Sequence, residues 1–142
     1  MRLAAIVVFG LVTSACAGGS APQEPNVPTC EVRFAAPSGF APSETFEEPY
    51  ADRIGVRLGF VDDQQREFHV FAGIPGEFGE GLPEGGELAL PDGWTGSVLG
   101  RGRVWVVRWE QGDRCDPRAV LVNGVDRDGF EALLVDAGLV AG

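Results

Sequence analysis

Lysine is missing from this 142-residue chain, and all 11 basic residues are arginine. We read that one-sided usage as a bias toward GC-rich codons and attach no chemistry to it. Positive charge is scarce altogether, since 21 acidic residues bring the formal net charge to −10. Such a chain is a poor partner for nucleic acid, whose phosphates require a basic surface. It is equally poorly suited to hold anionic lipid through its folded surface. The excess of acid is most simply a device for solubility. There is one histidine, too few imidazoles for the usual zinc sets, and no close cluster of ligands makes up the shortfall. There is also no long apolar run. The longest, Leu3 to Val12, has ten residues interrupted only by Gly10, whereas a membrane-spanning helix needs about 20.

What is present is ordinary for one small domain with a leader: 44% hydrophobic and 23% charged residues, too apolar for a disordered protein. The 21 Gly and 10 Pro point to many turns and few long helices.

Ten apolar residues behind Arg2 have the length of a signal-peptide core. The run ends in "LVTSAC", Leu11 to Cys16, followed by Ala17 and then Gly18, Gly19 and Ser20. Thr13, Ser14 and Ala15 are small, as a cleavage site requires. The segment resembles a bacterial lipobox, with Thr13 standing where Leu or Val is usual. That resemblance implies diacylglyceryl modification of Cys16 and cleavage on its N-terminal side. Two acyl chains anchor stably where one is marginal, so the expected contact with the membrane is covalent lipid. A plain signal peptide with an incidental cysteine is the alternative. The expected location is the extracytoplasmic face of the cell membrane. Without Arg2, the mature part has 21 acids against 10 bases.

The expected organisation is a leader over 1–15, lipidated Cys16 with a linker to 29, and one domain over 30–142. The linker, AGGSAPQEPNVPT, has three prolines and no periodicity. It reads as a solvated tether, about 20 Å long as a coil and roughly 43 Å fully extended. With Cys16 taken for lipid, Cys30 and Cys115 remain. In an oxidising compartment they most simply pair with each other. A C-x-x-C redox spacing is absent. The bond would close a loop of about 85 residues, worth about 4 kcal/mol in the chain-entropy model.

From Cys30 on, the pattern is mostly strands. "CEVRFA" alternates briefly, and "PSGFAPSETFEEPY" reads as loop. "RIGVRLGFV" places Ile54, Val56, Leu58 and Phe60 on one face, and "REFHVFAGI" does the same with Phe68, Val70, Ala72 and Ile74. Joined at Asp62 to Gln65, they read as a hairpin. Glu87 to Leu90 reads as a short strand and Pro91-Asp92-Gly93 as a turn. "WTGSVLG" and "GRVWVVRWE" form a second hairpin turned at Gly100 to Gly102, "QGDRCDP" is a turn, and "RAVLVNG" is the last strand. A helix follows, with Asp128 as cap, Glu131 completing a capping box, and Phe130, Leu133, Leu134 and Ala137 at helical spacing. Gly138 is placed to end it. The expected fold is α+β, a mainly antiparallel sheet with one C-terminal helix packed on it.

The order of these parts resembles the DUF4367-like extracytoplasmic domains of bacteria. The matching residues are Pro37, Gly39 and Phe40; Gly96 with Gly102; Val104 to Trp109; and Phe130 to Leu134, within a span from about Ala35 to Val140. The chain departs from that family at Cys115-Asp116-Pro117, which interrupts its aromatic strand. The resemblance implies an envelope domain without known catalysis.

Few residues could carry chemistry. His69 has no visible nucleophile or positioned partner, which leaves a small hydrolase as a weak alternative. Glu77, Glu80, Glu84, Glu87 and Asp92 crowd one region, but their spacing matches no calcium loop. Trp94, Trp105 and Trp109 lie on or near one hairpin. Trp105 and Trp109 share a face, which serves as core or as a ligand platform. No cofactor and no metal is expected. The expected role is a non-enzymatic, lipid-anchored binding, accessory or structural protein, with an envelope protein as its possible partner. The alternative is a small-ligand sensor using Trp105 and Trp109.

Overall fold

The computed structural model describes residues 27–76 and 78–141. The leader, Cys16, the linker through Asn26 and Glu77 of the acidic loop lie outside the described residues. Two antiparallel meanders make up the domain. The first is β1 (Ala41–Pro49), β2 (Ile54–Val61) and β3 (Glu67–Ala72). The second is β4 (Glu84–Ala89), β5 (Thr95–Arg101), β6 (Val104–Trp109) and β7 (Arg118–Asn123). They fuse where β7 pairs with β3, Val120 lying opposite Val70. The result is one seven-stranded sheet in the order β1-β2-β3-β7-β6-β5-β4. One helix, α1 (Arg127–Asp136), follows the last strand. Among the described residues no helix is long and apolar enough to cross a membrane.

Period-two patterning decides which face is covered. Leu58, Phe60, Phe68, Val70, Val120, Val122, Val107, Trp109 and Val98 join Phe130 and Leu134 of α1 in one apolar cluster. Phe68 and Phe130 are fully buried at its centre, each contributing roughly 1.5–3 kcal/mol of transfer free energy. The N-terminal segment completes the cover, with Phe34 and Phe40 packing on Phe68. The opposite face of the second meander is crossed by the connection from β3 to β4. There Phe78 packs on Phe71 with ring centroids 4.4 Å apart, and Arg108 donates to the Phe78 carbonyl at 3.2 Å.

The structure departs from the sequence pattern in several places. "CEVRFA" is not a strand. Its backbone is tied instead by Cys30 N–H to Ile54 O and Ala35 N–H to Ala137 O, after an isolated bridge from Thr29 to Ile54. Among the described residues the first such contact is at Pro28, whose carbonyl accepts from Ile54 N–H. The segment read as loop contains β1, nine residues long and exposed almost throughout. Its Pro, Ser and Glu content is unfavourable to an interior strand. At a sheet edge the same residues are tolerated and discourage further pairing. β4 starts at Glu84, earlier than expected. The β5–β6 turn lies at Gly102-Arg103, since Arg101 still pairs with Val104. Gly100 is needed for its lack of a side chain, because a Cβ there would sit 2.0 Å from the Trp105 ring of its cross-strand partner.

The helix cap also moves. Asp126, not Asp128, accepts from Gly129 N–H at 2.8 Å, and Glu131 is taken by Arg127 one turn away. The end is as expected. Gly138, at φ +77°, closes a Schellman motif through Gly138 N–H to Val135 O and Leu139 N–H to Leu134 O.

Candidate functional site

The β6–β7 connection, Glu110 to Pro117, is built around one carboxylate. Asp116 accepts from the backbone N–H groups of Gln111, Gly112 and Asp113 at 2.9, 2.7 and 3.0 Å. Asp113 accepts from Cys115 N–H at 2.9 Å. The guanidinium of Arg118, the first residue of β7, donates to both carboxylates at 2.8–3.1 Å. Arg118 is 7% exposed, so this pairing is what makes its burial tolerable. Its hydrogen bonds hold the Asp113 carboxyl below the usual aspartate range, against the smaller opposing effect of burial. The Cys30–Cys115 disulfide is formed and bolts the N-terminal segment to this loop.

A cleft of about 320 Å³ opens beside the bolt. Glu31, Val32 and Arg33, next to Cys30, form one wall, while Gln111 and Arg118, either side of Cys115, form another. The third wall is the β4–β5 turn, Leu90 to Trp94, closed by Leu90 N–H to Trp94 O at 2.7 Å. Asp92 in that turn has φ +63°, a left-handed conformation that Asp adopts more readily than most residues. The turn holds Trp94 at the rim, 36% exposed, while Trp109 is 6% exposed and sits deeper. Trp109 lies directly opposite Arg118 in the β6–β7 ladder.

Trp105 does not line this cleft. Its ring stacks near Phe130 at 6.3 Å, Arg127 lies over it at 5.5 Å, and its indole N–H donates to Gly102 O at 3.1 Å. The two tryptophans of β6 share a face, as expected, but only Trp109 is brought to the cleft. The sequence does not single out Trp94, Gln111 and Arg118 as a group. Their grouping arises from pairing β6 with both β5 and β7, and no linear spacing announces it.

His69 lies on the other face of the sheet, between Glu67 and Glu44 at 3.5 and 3.9 Å. The irregularity between Pro42 and Glu44 brings Ser43 to the same neighbourhood. A Cβ on Gly59 would meet Ser43 Oγ at 3.1 Å and His69 Nδ1 at 3.2 Å. None of these residues lines the cleft, and the sheet lies between this cluster and it. Among the described residues no three His, Cys, Asp or Glu side chains gather to hold a metal ion. Asp62 is buried at the β2–β3 turn for a structural reason. Burial alone would raise its pKa, but N–H groups of Arg66 and Gln64 and the Arg66 guanidinium lower it on balance.

No protein-family model, no curated protein and no solved structure matches this chain.

Proposed function

We propose that the protein is a lipid-tethered, extracytoplasmic, non-enzymatic module that binds a small ligand in the cleft between Trp94, Trp109 and Gln111. The observation that carries the reading is the cleft itself. Two indoles and a set of polar side chains converge on a space of about 320 Å³, at the small end of the roughly 300–1,000 Å³ range of ligand pockets. The lipobox-like "VTSAC" supports the address, as does the resemblance of the folded part to DUF4367-like extracytoplasmic domains. The disulfide agrees with an oxidising compartment.

Tryptophan emission tests the binding. Titration with a metabolite panel should shift or quench emission in wild type and much less in a Trp94→Ala protein. An unchanged spectrum with every ligand would remove the cleft from the reading. The address has its own measurement. Mass spectrometry of the membrane fraction should find lipid on Cys16, and a Cys16→Ser protein should lack it. A wild-type protein recovered unmodified and fully soluble would overturn the anchor.

A further inference from the structure

Resting on the cleft reading above, we propose that the ligand is a neutral saccharide, of one or two rings, stacked on Trp94 and hydrogen-bonded by Gln111, Glu31, Asp92 and Arg33.

Charge removes the main competitors. The cleft is lined by Glu31 and Asp92 against Arg33 and Arg118. Arg118 is already committed to Asp113 and Asp116, so its guanidinium is not free to clamp a phosphate or carboxylate. What remains is near balance or slightly negative, on a chain of formal charge −10. An anionic ligand would meet one uncommitted guanidinium, Arg33, set against the carboxylates of Glu31 and Asp92 in the same lining. A small cation would find no cluster of three His, Cys, Asp or Glu among the described residues.

Hydrogen-bonding capacity then separates a sugar from a flat aromatic ligand. Among the described residues no ion pair involves Glu31, Arg33 or Asp92. Gln111 uses its backbone N–H on Asp116 and presents a side-chain amide, both donor and acceptor, to the cleft. Trp109 is largely buried and lines the same cleft. An aromatic ligand would cover these groups without pairing them, at a cost. A ring of hydroxyls pairs with them. The same ring has a C–H face, whose positive edge suits the negative face of an indole. Trp94 is placed for this, exposed at the rim on a turn whose geometry is set by Asp92.

The test is calorimetry with tryptophan emission, on the intact protein in detergent. The probes are cellobiose and the N-acetylglucosamine disaccharide, set beside indole-acetate and inorganic phosphate. A neutral disaccharide should bind with a Kd of about 1 mM or tighter. Trp94→Ala should weaken it about tenfold or more, Trp94→Phe should restore part of the loss, and Gln111→Ala should weaken it several-fold. Trp105→Phe should leave it unchanged. Binding of indole-acetate or phosphate but no sugar, in a Trp94-dependent manner, would overturn the saccharide and leave the cleft standing. Sugar binding indifferent to both Trp94→Ala and Gln111→Ala would overturn the proposed site. Binding of none of the probes would overturn the saccharide, and the wider metabolite panel then decides the cleft.

Discussion

Trp105 and Trp109 stand four residues apart on one face of β6, yet they belong to opposite ends of the molecule. At the Trp105 end, α1 lies over the sheet. Phe130 meets the indole ring, Gly100 makes room for it, and its N–H is satisfied by Gly102 O. At the Trp109 end the helix has ended, and the chain turns at Gly138. Cover there comes from the N-terminal segment and the β4–β5 turn, which meet around the cleft. One end is held by apolar packing under a helix. The other is held by a disulfide and by carboxylates that organise a loop around Arg118. A shared strand face therefore does not mean a shared role. Trp109 is the more buried of the two, and what distinguishes it is the cleft that opens beside it.

The sharpest way to break the contrast is to remove packing at the helix end. Phe130→Ala should cost roughly 3–5 kcal/mol in urea denaturation, because the ring is fully buried and leaves a cavity. The cleft end should retain its disulfide in whatever folded fraction remains. Replacing Cys30 and Cys115 together by Ser should cost roughly 2–5 kcal/mol. It should also weaken any ligand of the cleft, since the bond joins two of its walls. A ligand affinity unchanged in the folded double variant would show that those walls hold without the bond.

Acid should act at both ends with a smaller effect, through Asp113 at the cleft end and Asp62 at the β2–β3 turn near the Trp105 end. Asp113 and Asp62 have lowered pKa values in the folded protein. Each contributes stability that is present above the ordinary aspartate range, near about pH 4, and is lost as pH falls through the lowered folded value. Denaturation midpoints should therefore drop between pH 7 and about pH 3. Asp113→Asn should be less stable at pH 7 and lose less on acidification. The smallest effect is expected at the rim. Trp94→Ala should change stability by no more than about 0.5 kcal/mol, as for other exposed positions. A large loss would mean that Trp94 is packing and not platform.

β2 and most of β3 are legible in the sequence because apolar residues such as Leu58, Phe60, Phe68 and Val70 recur at every second position, whereas β7, with Ala119 to Val122 apolar in succession, is legible as a strand but not as to which side faces the helix. The Schellman end is legible because Gly138 follows an apolar helical stripe. β1 is not, because the composition of APSETFEEP suits a loop as well as an edge strand, and only pairing with β2 decides between them. The cap at Asp126 is hidden because Asp128 and Glu131 form an equally good local pattern. The cleft is legible only in part. Trp109 stands out on its strand, but Trp94 and Gln111 reach the cleft from other segments, and Arg118 owes its burial to two aspartates in a neighbouring turn.

Local pattern is enough to specify the alternating strands, the amphipathic helix and the pair of cysteines, because periodicity and cysteine count express them directly. Which meander strands meet, which tryptophans line the cleft, and where the chain leaves a space open are settled only on folding. Those outcomes depend on contacts between distant segments, and no stretch of a few residues contains the energy that selects them.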